Sequence, residues 1–402
     1  MAPEASVETK IDQCPVCGSA PTVDILSINS VPIFCNVQWP TKEEARCAPT
    51  GSIVLAMCRN CGHFFNRAFE SDRITYSPNY ENSLHFSPHF QAYAETLARD
   101  LVERFSLRNK TIVEIGSGRG DFLTLLCELG GNRGVGYDPG YFGADSTSRI
   151  SSAVLFVNES YTTTTKPMPA DLICARHTLE HIPDPLAFLR SLRQQTGADN
   201  PNTWLYFEVP NMLYTLRDGG VWDLIYEHCS YFSSLSLMRL FERSGFQVTR
   251  LAEAYDYQFL QIEALPAIDS VSMSRCEAPV ALNDVVRLGN ALSALFEQRV
   301  ATMRGLLDKL SLERKRVAIW GAGSKGVTFL NILGATDHVV AAIDVNPRKQ
   351  GKFVAGTGQE IVAPEKLSGL GIDAIIMMNR IYYGEIRSIL GRLGVPAQLY
   401  AA

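Results

Sequence analysis

The chain has 402 residues, 46% hydrophobic and 20% charged, which is long for one hydrophobic core and ordinary in composition for a globular protein. A formal charge of -5 supplies no field for gathering nucleic acid or an anionic membrane. The polar start and the lack of any run near about 18 apolar residues predict a cytoplasmic protein.

Residues 1–75 are rich in Pro and Gly and hold too little apolar sequence to fold unaided. Within them, Cys14-Pro-Val-Cys17-Gly and Cys58-Arg-Asn-Cys61-Gly are two knuckles, each offering a pair of thiolates. Together they predict a structural zinc site with Cys14, Cys17, Cys58 and Cys61 as ligands, since four thiolates leave no open position for catalysis. Cys35 and Cys47 have no partner at ligand spacing and read as incidental thiols.

A helix is expected over about 89–106, followed by alternating strands and helices to about 265, the pattern of a doubly wound parallel α/β sheet. Apolar residues from Val285 to Leu310 recur every three or four positions and predict a long amphipathic helix over 281–313. A second strand, glycine loop and helix begin near Arg316. The expected division is a zinc-binding module (1–75), a core (76–265), a helical linker (266–313) and a Rossmann-like domain (314–402).

The run Thr111-Ile-Val-Glu114-Ile-Gly116-Ser-Gly118-Arg-Gly120 is an apolar strand entering a glycine turn. Eighteen residues beyond Gly120, Asp138 ends the next strand, placed to accept both hydroxyls of a ribose. The spelling E-x-G-x-G-x-G departs from the dinucleotide G-x-G-x-x-G, and S-adenosylmethionine carries a ribose but no phosphate. These features predict a class I methyltransferase that binds the cofactor through Glu114, Gly116, Gly118, Gly120 and Asp138. Asp171, opening the fourth strand, and His177, following it, are further cofactor-binding candidates, and His181 is a candidate base.

The stretch Trp222-Asp-Leu-Ile-Tyr226-Glu227-His228-Cys-Ser-Tyr231-Phe232 is aromatic and precedes a helix capped by Ser233 or Ser234. An adjacent Glu and His suit proton abstraction, because His titrates near neutrality and a carboxylate can orient it.

With its paired CxxC knuckles, central Y-E-H-x-S-Y-F segment and C-terminal G-A-G-S-K-G loop, the protein resembles the three-domain sugar C-methyltransferases over almost its whole length. The resemblance implies methylation of the carbon next to a ketone in a nucleotide-linked deoxysugar, with His228 as base and Glu227 as its partner. The family's Y-H-E-H reads Ile225-Tyr226-Glu227-His228 here, so Tyr226 is the candidate to replace the displaced tyrosine. Tyr80, in Tyr80-Glu-Asn-Ser83, matches a substrate-side Y-x-x-S stretch. O- or N-methylation of another small metabolite, and a zinc-dependent binding module without catalysis, are the competing readings.

Gly321-Ala-Gly323-Ser-Lys325-Gly326, with Asp344 at the next strand end, also fits the dinucleotide fingerprint. It admits a dinucleotide, a substrate diphosphate held by Lys325 and the helix N-terminus, or a fold kept for packing.

Overall fold

The computed structural model describes residues 11–75, 79–141, 153–162, 164–165, 168–196, 202–267, 276–334 and 338–402. The expected boundary at residue 76 and residues 268–275 of the expected linker lie outside them. In chain order the strands are β1 (Val23–Pro32), β2 (Thr50–Met57), β3 (Phe64–Asn66), β4 (Thr111–Ile115), β5 (Arg133–Tyr137), β6 (Val154–Val157), β7 (Leu172–Arg176) and β8 (Trp204–Pro210). They continue with β9 (Ser230–Tyr231), β10 (Phe246–Ala254), β11 (Phe259–Pro266), β12 (Val317–Trp320), β13 (Val339–Ile343), β14 (Ile361–Val362), β15 (Ala374–Met377) and β16 (Gln398–Ala401).

These strands build three sheets. The central one runs β10-β11-β8-β7-β4-β5-β6, parallel from β8 to β6, with β11 antiparallel to both of its neighbours. This is the class I methyltransferase arrangement. Its inner strands are buried on both faces, which is why they read as continuous apolar runs. Ile112 and Leu172 face the helices Pro88–Arg104 and Asp121–Gly130, whereas Val113 and Ile173 face Pro185–Gln195 and Ser234–Arg243. The C-terminal sheet, β14-β13-β12-β15-β16, is wholly parallel and Rossmann-like. In both sheets the order reverses at the first strand, β4 or β12, and a ligand crevice opens at the carboxyl ends of the strands there.

The N-terminal sheet, β1-β2-β3-β9, is antiparallel, and its last strand comes from the segment just after His228. Phe64 pairs with Tyr231 and Phe65 with Ser230. The amphipathic helix is Leu282–Leu312, and it buries Val285, Gly289, Leu292, Val300, Met303, Leu307 and Leu310 in the same core as β1 and β2. Among the described residues, no helix is long and apolar enough to cross a membrane.

Tyr226 belongs to this core. Its ring is wholly buried, lies 5.6 Å from that of Phe69 and covers Gly51, and its hydroxyl accepts the Glu70 N–H at 3.1 Å. A Cβ on Gly51 would stand 2.3 Å from Tyr226 Cε2, so Gly51→Ala forces a fixed aromatic ring to move. A loss of about 1–3 kcal/mol in urea unfolding is expected.

Candidate active site

At the end of β4 the backbone turns through Gly116 and Gly120 at φ of +71° and +84° into the helix Asp121–Gly130. Neither position admits a side chain: a Cβ would meet Thr178 Oγ1 at 2.0 Å or Phe156 Cζ at 2.1 Å. Just beyond β5, Asp138 Oδ2 accepts the Gly118 N–H at 2.8 Å and Oδ1 accepts the Gly140 N–H at 2.7 Å. Burial raises the Asp138 pKa, and those two bonds work against the shift. Glu114, inside the sheet, is pushed up to about 8 by burial, with the Arg176 charge opposing. Gly116, Gly118, Glu114 and His177 all line one cavity of ≈ 370 Å³.

Asp171 does not join them. It precedes β7 at the amino end of the parallel strands, where it binds Lys110 Nζ at 3.0 Å and the Thr111 N–H at 2.9 Å. Asp171, expected at the cofactor, thus lies just before the right strand, at the end away from the crevice.

The far wall of the cavity is set by a charged cluster that follows β7. Glu208 on β8 is fully buried and receives Arg176 Nε at 3.0 Å, Tyr206 Oη at 3.3 Å and the Tyr93 hydroxyl. His177 holds a left-handed backbone, φ +50°, between Glu208 (Nε2 at 3.4 Å) and Glu180 (Nδ1 at 3.7 Å). Burial opposes its charge, but its contacts with both carboxylates push its pKa up to about 9. Arg176, Glu180 and Glu208 carry no separate sequence signal, although the first two sit inside the string that holds His177 and His181.

His181 and His228 meet edge to face, with ring centroids 4.9 Å apart, and both line the cavity. Burial and the neighbouring His181 push the His228 imidazole down to about 3, with Glu180 pulling the other way. Glu227, expected beside His228, is turned elsewhere. It is fully buried, accepts the Cys35 N–H at 2.8 Å, and interacts with His181 and the Tyr80 hydroxyl. The carboxylate near His228 is that of Glu180, one of whose oxygens lies within 4.8 Å of a ring nitrogen of each histidine. Tyr226 is likewise absent from the cavity wall, and Ile225 lines it instead. Tyr80 is part of that wall.

The cavity continues onto the C-terminal glycine loop, reaching Gly321, Gly323, Lys325 and Lys349. Asp344 repeats the geometry of Asp138, accepting the Ala322 and Asn346 N–H groups at 2.9 Å each. Lys325 is occupied by Asp223 at 3.2 Å and Gln258 Oε1 at 2.6 Å, so it ties the two sheets together. Buried Glu81 does the same, binding Arg119 at 3.0 Å, Asn346 Nδ2 at 3.1 Å and Arg348 at 3.5 Å.

The four cysteines lie together, with Sγ–Sγ distances of 3.5 Å for Cys14–Cys61 and for Cys17–Cys58. Each knuckle closes on its glycine, Gly18 N–H to Cys14 O at 2.8 Å and Gly62 N–H to Cys58 O at 2.9 Å. Gly62 O accepts the hydroxyl of the N-cap Ser233 at 3.0 Å, which joins the cysteine cluster to the helix after the His228 segment.

The stability that His177 contributes is fully present below its ordinary pKa of 6.5 and is lost as pH rises through about 9. Wild-type protein is therefore expected to lose urea stability between those values. His177→Asn, which tolerates the left-handed backbone, should flatten that dependence.

A family described as "Methyltransferase domain" matches residues 90–251, and one described as "C-methyltransferase C-terminal domain" matches residues 273–391. The protein is similar to C-methyltransferase NovU of Streptomyces niveus, 25% identical over 396 residues that span 94% of this chain and 91% of that protein. Distant likeness extends to the SAH-bound magnesium protoporphyrin IX methyltransferase ChlM of Synechocystis PCC 6803, at 14% identity, 44% of this chain, 84% of that one and TM-score 0.35. It extends equally to the 1,6-didemethyltoxoflavin-N1-methyltransferase of Burkholderia thailandensis, at 15% identity, 43% and 78% coverage and TM-score 0.34. The central strand order and the methyltransferase match over residues 90–251 lead to one conclusion: this chain is an S-adenosylmethionine-dependent methyltransferase.

Proposed function

We propose that this enzyme methylates an enolisable carbon beside a ketone in a nucleotide-linked deoxysugar, with His228 as the base. The observation that carries this reading is one continuous cavity that joins the Gly116–Gly118 turn, the His181–His228 pair and the C-terminal glycine loop. Asp138 and the Gly116–Gly120 turn would hold S-adenosylmethionine, which would supply its sulfonium methyl group to the enolate carbon and leave as the thioether S-adenosylhomocysteine. His228, neutral at pH 7, accepts the α-proton. Tyr80 and His181, tied to Glu227, face the same space and suit the ketone oxygen.

Lys349 supports an anionic substrate. It is 4% exposed, yet its ammonium meets only Asn36 Oδ1 at 3.3 Å and Ala322 O at 3.4 Å, and no carboxylate pairs with it among the described residues. A buried cation so poorly compensated favours an anion, and a substrate diphosphate beside Gly323 would meet that need. Lys349 thus takes the part expected of Lys325.

The four thiolates fit a tetrahedral zinc ion that holds the N-terminal knuckles together and leaves no position for chemistry. Because Gly62 binds Ser233, the ion also steadies the segment that carries His228. Cys58→Ser is expected to remove about one equivalent of zinc by elemental analysis and to lower the melting temperature.

The reaction itself is tested by solvent deuterium exchange with S-adenosylhomocysteine present. A nucleoside-diphosphate 4-keto-6-deoxyhexose should exchange its α-proton, and His228→Ala should slow that exchange by about 100-fold or more. Undiminished exchange in the variant removes His228 from the mechanism, and methylation at oxygen or nitrogen without exchange rejects C-methylation.

A further inference from the structure

We propose that Glu180 is the positioning residue that holds the His181–His228 pair and stabilises the imidazolium formed when His228 takes a proton, an inference that rests on His228 being the base. Three observations support it independently of sequence adjacency. The Glu180 side chain is 1% exposed, and among the described residues neither of its carboxylate oxygens has a hydrogen-bond partner, although His177 Nδ1 approaches at 3.7 Å. One of its carboxylate oxygens lies within 4.8 Å of a ring nitrogen of His181 and of one of His228, and His228 Nδ1 is itself buried without a hydrogen-bond partner among the described residues. Its backbone carbonyl accepts the Cys229 N–H at 3.0 Å and the Cys229 thiol at 3.2 Å, which pins the residue after His228 to the Glu180 turn.

The electrostatics agree. Burial opposes ionisation of Glu180, but the neighbouring imidazoles, His177 foremost, hold its carboxyl below the usual range. The groups facing the pair are His177 and Glu180 from the β7 loop, Glu208 from β8 behind His177, Cys229 and Tyr231 from the following segment, and Glu227 on the side of His181. Among these, Glu180 is the carboxylate placed against both rings. His228 is kept neutral by burial, which is what a base requires before reaction, and the anion beside it lowers the cost of its charge afterwards. The proton moves from substrate carbon to imidazole, and Glu180 stays ionised throughout.

The test compares wild type with Glu180→Gln, Glu180→Asp and His228→Ala, by α-proton exchange and methyl transfer on a nucleoside-diphosphate 4-keto-6-deoxyhexose and by ¹⁵N-histidine NMR titration without substrate. Glu180→Gln should lower kcat by about 10- to 100-fold with KM little changed. It should also lower the titration midpoint of His228 by about one pH unit, while Glu180→Asp falls between it and wild type. A midpoint unmoved in both Glu180 variants overturns the proposal, and because NMR needs no substrate, this arm stands whatever the true acceptor is. If Glu180→Gln does not fold, wild-type exchange rate and midpoint in Glu180→Asp overturn it equally. Exchange retained in His228→Ala, by contrast, defeats the base assignment while the Glu180 titration arm is read separately.

Discussion

Glu208 is an ionised carboxyl group cut off from solvent, and much of the site follows from the groups needed to hold it there. Burial alone would neutralise it, but Arg176, His177 and Tyr93 keep its pKa well below the ordinary carboxylate value. Arg176 ends β7 and Glu208 lies on the adjacent β8, so the pair locks two neighbouring strand ends in register. To reach Glu208, His177 takes a left-handed backbone, and the turn it starts delivers Glu180 and His181 to the cavity. Removing one partner would leave a buried charge unanswered, which makes this cluster a rigid support for the histidine pair in front of it.

What could be read from the amino-acid order alone was local. A strand, three glycines and an acid at the next strand end lie within 28 residues, and their roles need no distant partner. The parallel part of the central sheet was legible for the same reason, since helical and extended periodicities alternate along it, but the antiparallel β10–β11 pair departs from the wholly parallel sheet expected. The histidine site was legible only in part. Glu227 and His228 are adjacent in sequence, but in an irregular segment successive side chains point in different directions, and the carboxylate at His228 comes from residue 180. Tyr226 was hidden by burial, a property of the whole N-terminal core rather than of the motif around it. Lys349 had no signal at all, because its significance is the lack of a counter-charge in three dimensions.

The central and C-terminal sheets present equivalent edges to one cavity. Asp138 and Asp344 each fasten a glycine loop by the same pair of backbone bonds, yet their surroundings differ: among the described residues, the buried lysine without a carboxylate lies at the C-terminal loop. Similar scaffolds thus offer one surface suited to a ribose and another suited to an anion. Lys325, Glu81 and the Gln258–Asn379 hydrogen bonds bridge the edges, so the cavity depends on both sheets being present.

The strand β9 has a consequence for how such a protein can be cut and recombined. Its two residues complete the N-terminal sheet, but they are encoded more than 160 positions after β3, inside the methyltransferase core. A splice at the apparent end of the cysteine-rich segment would therefore separate a sheet from its own edge and leave the backbone beside His228 without its partner. The heritable building block is discontinuous: an N-terminal module can be exchanged between relatives only if the short segment around 225–232 travels with it.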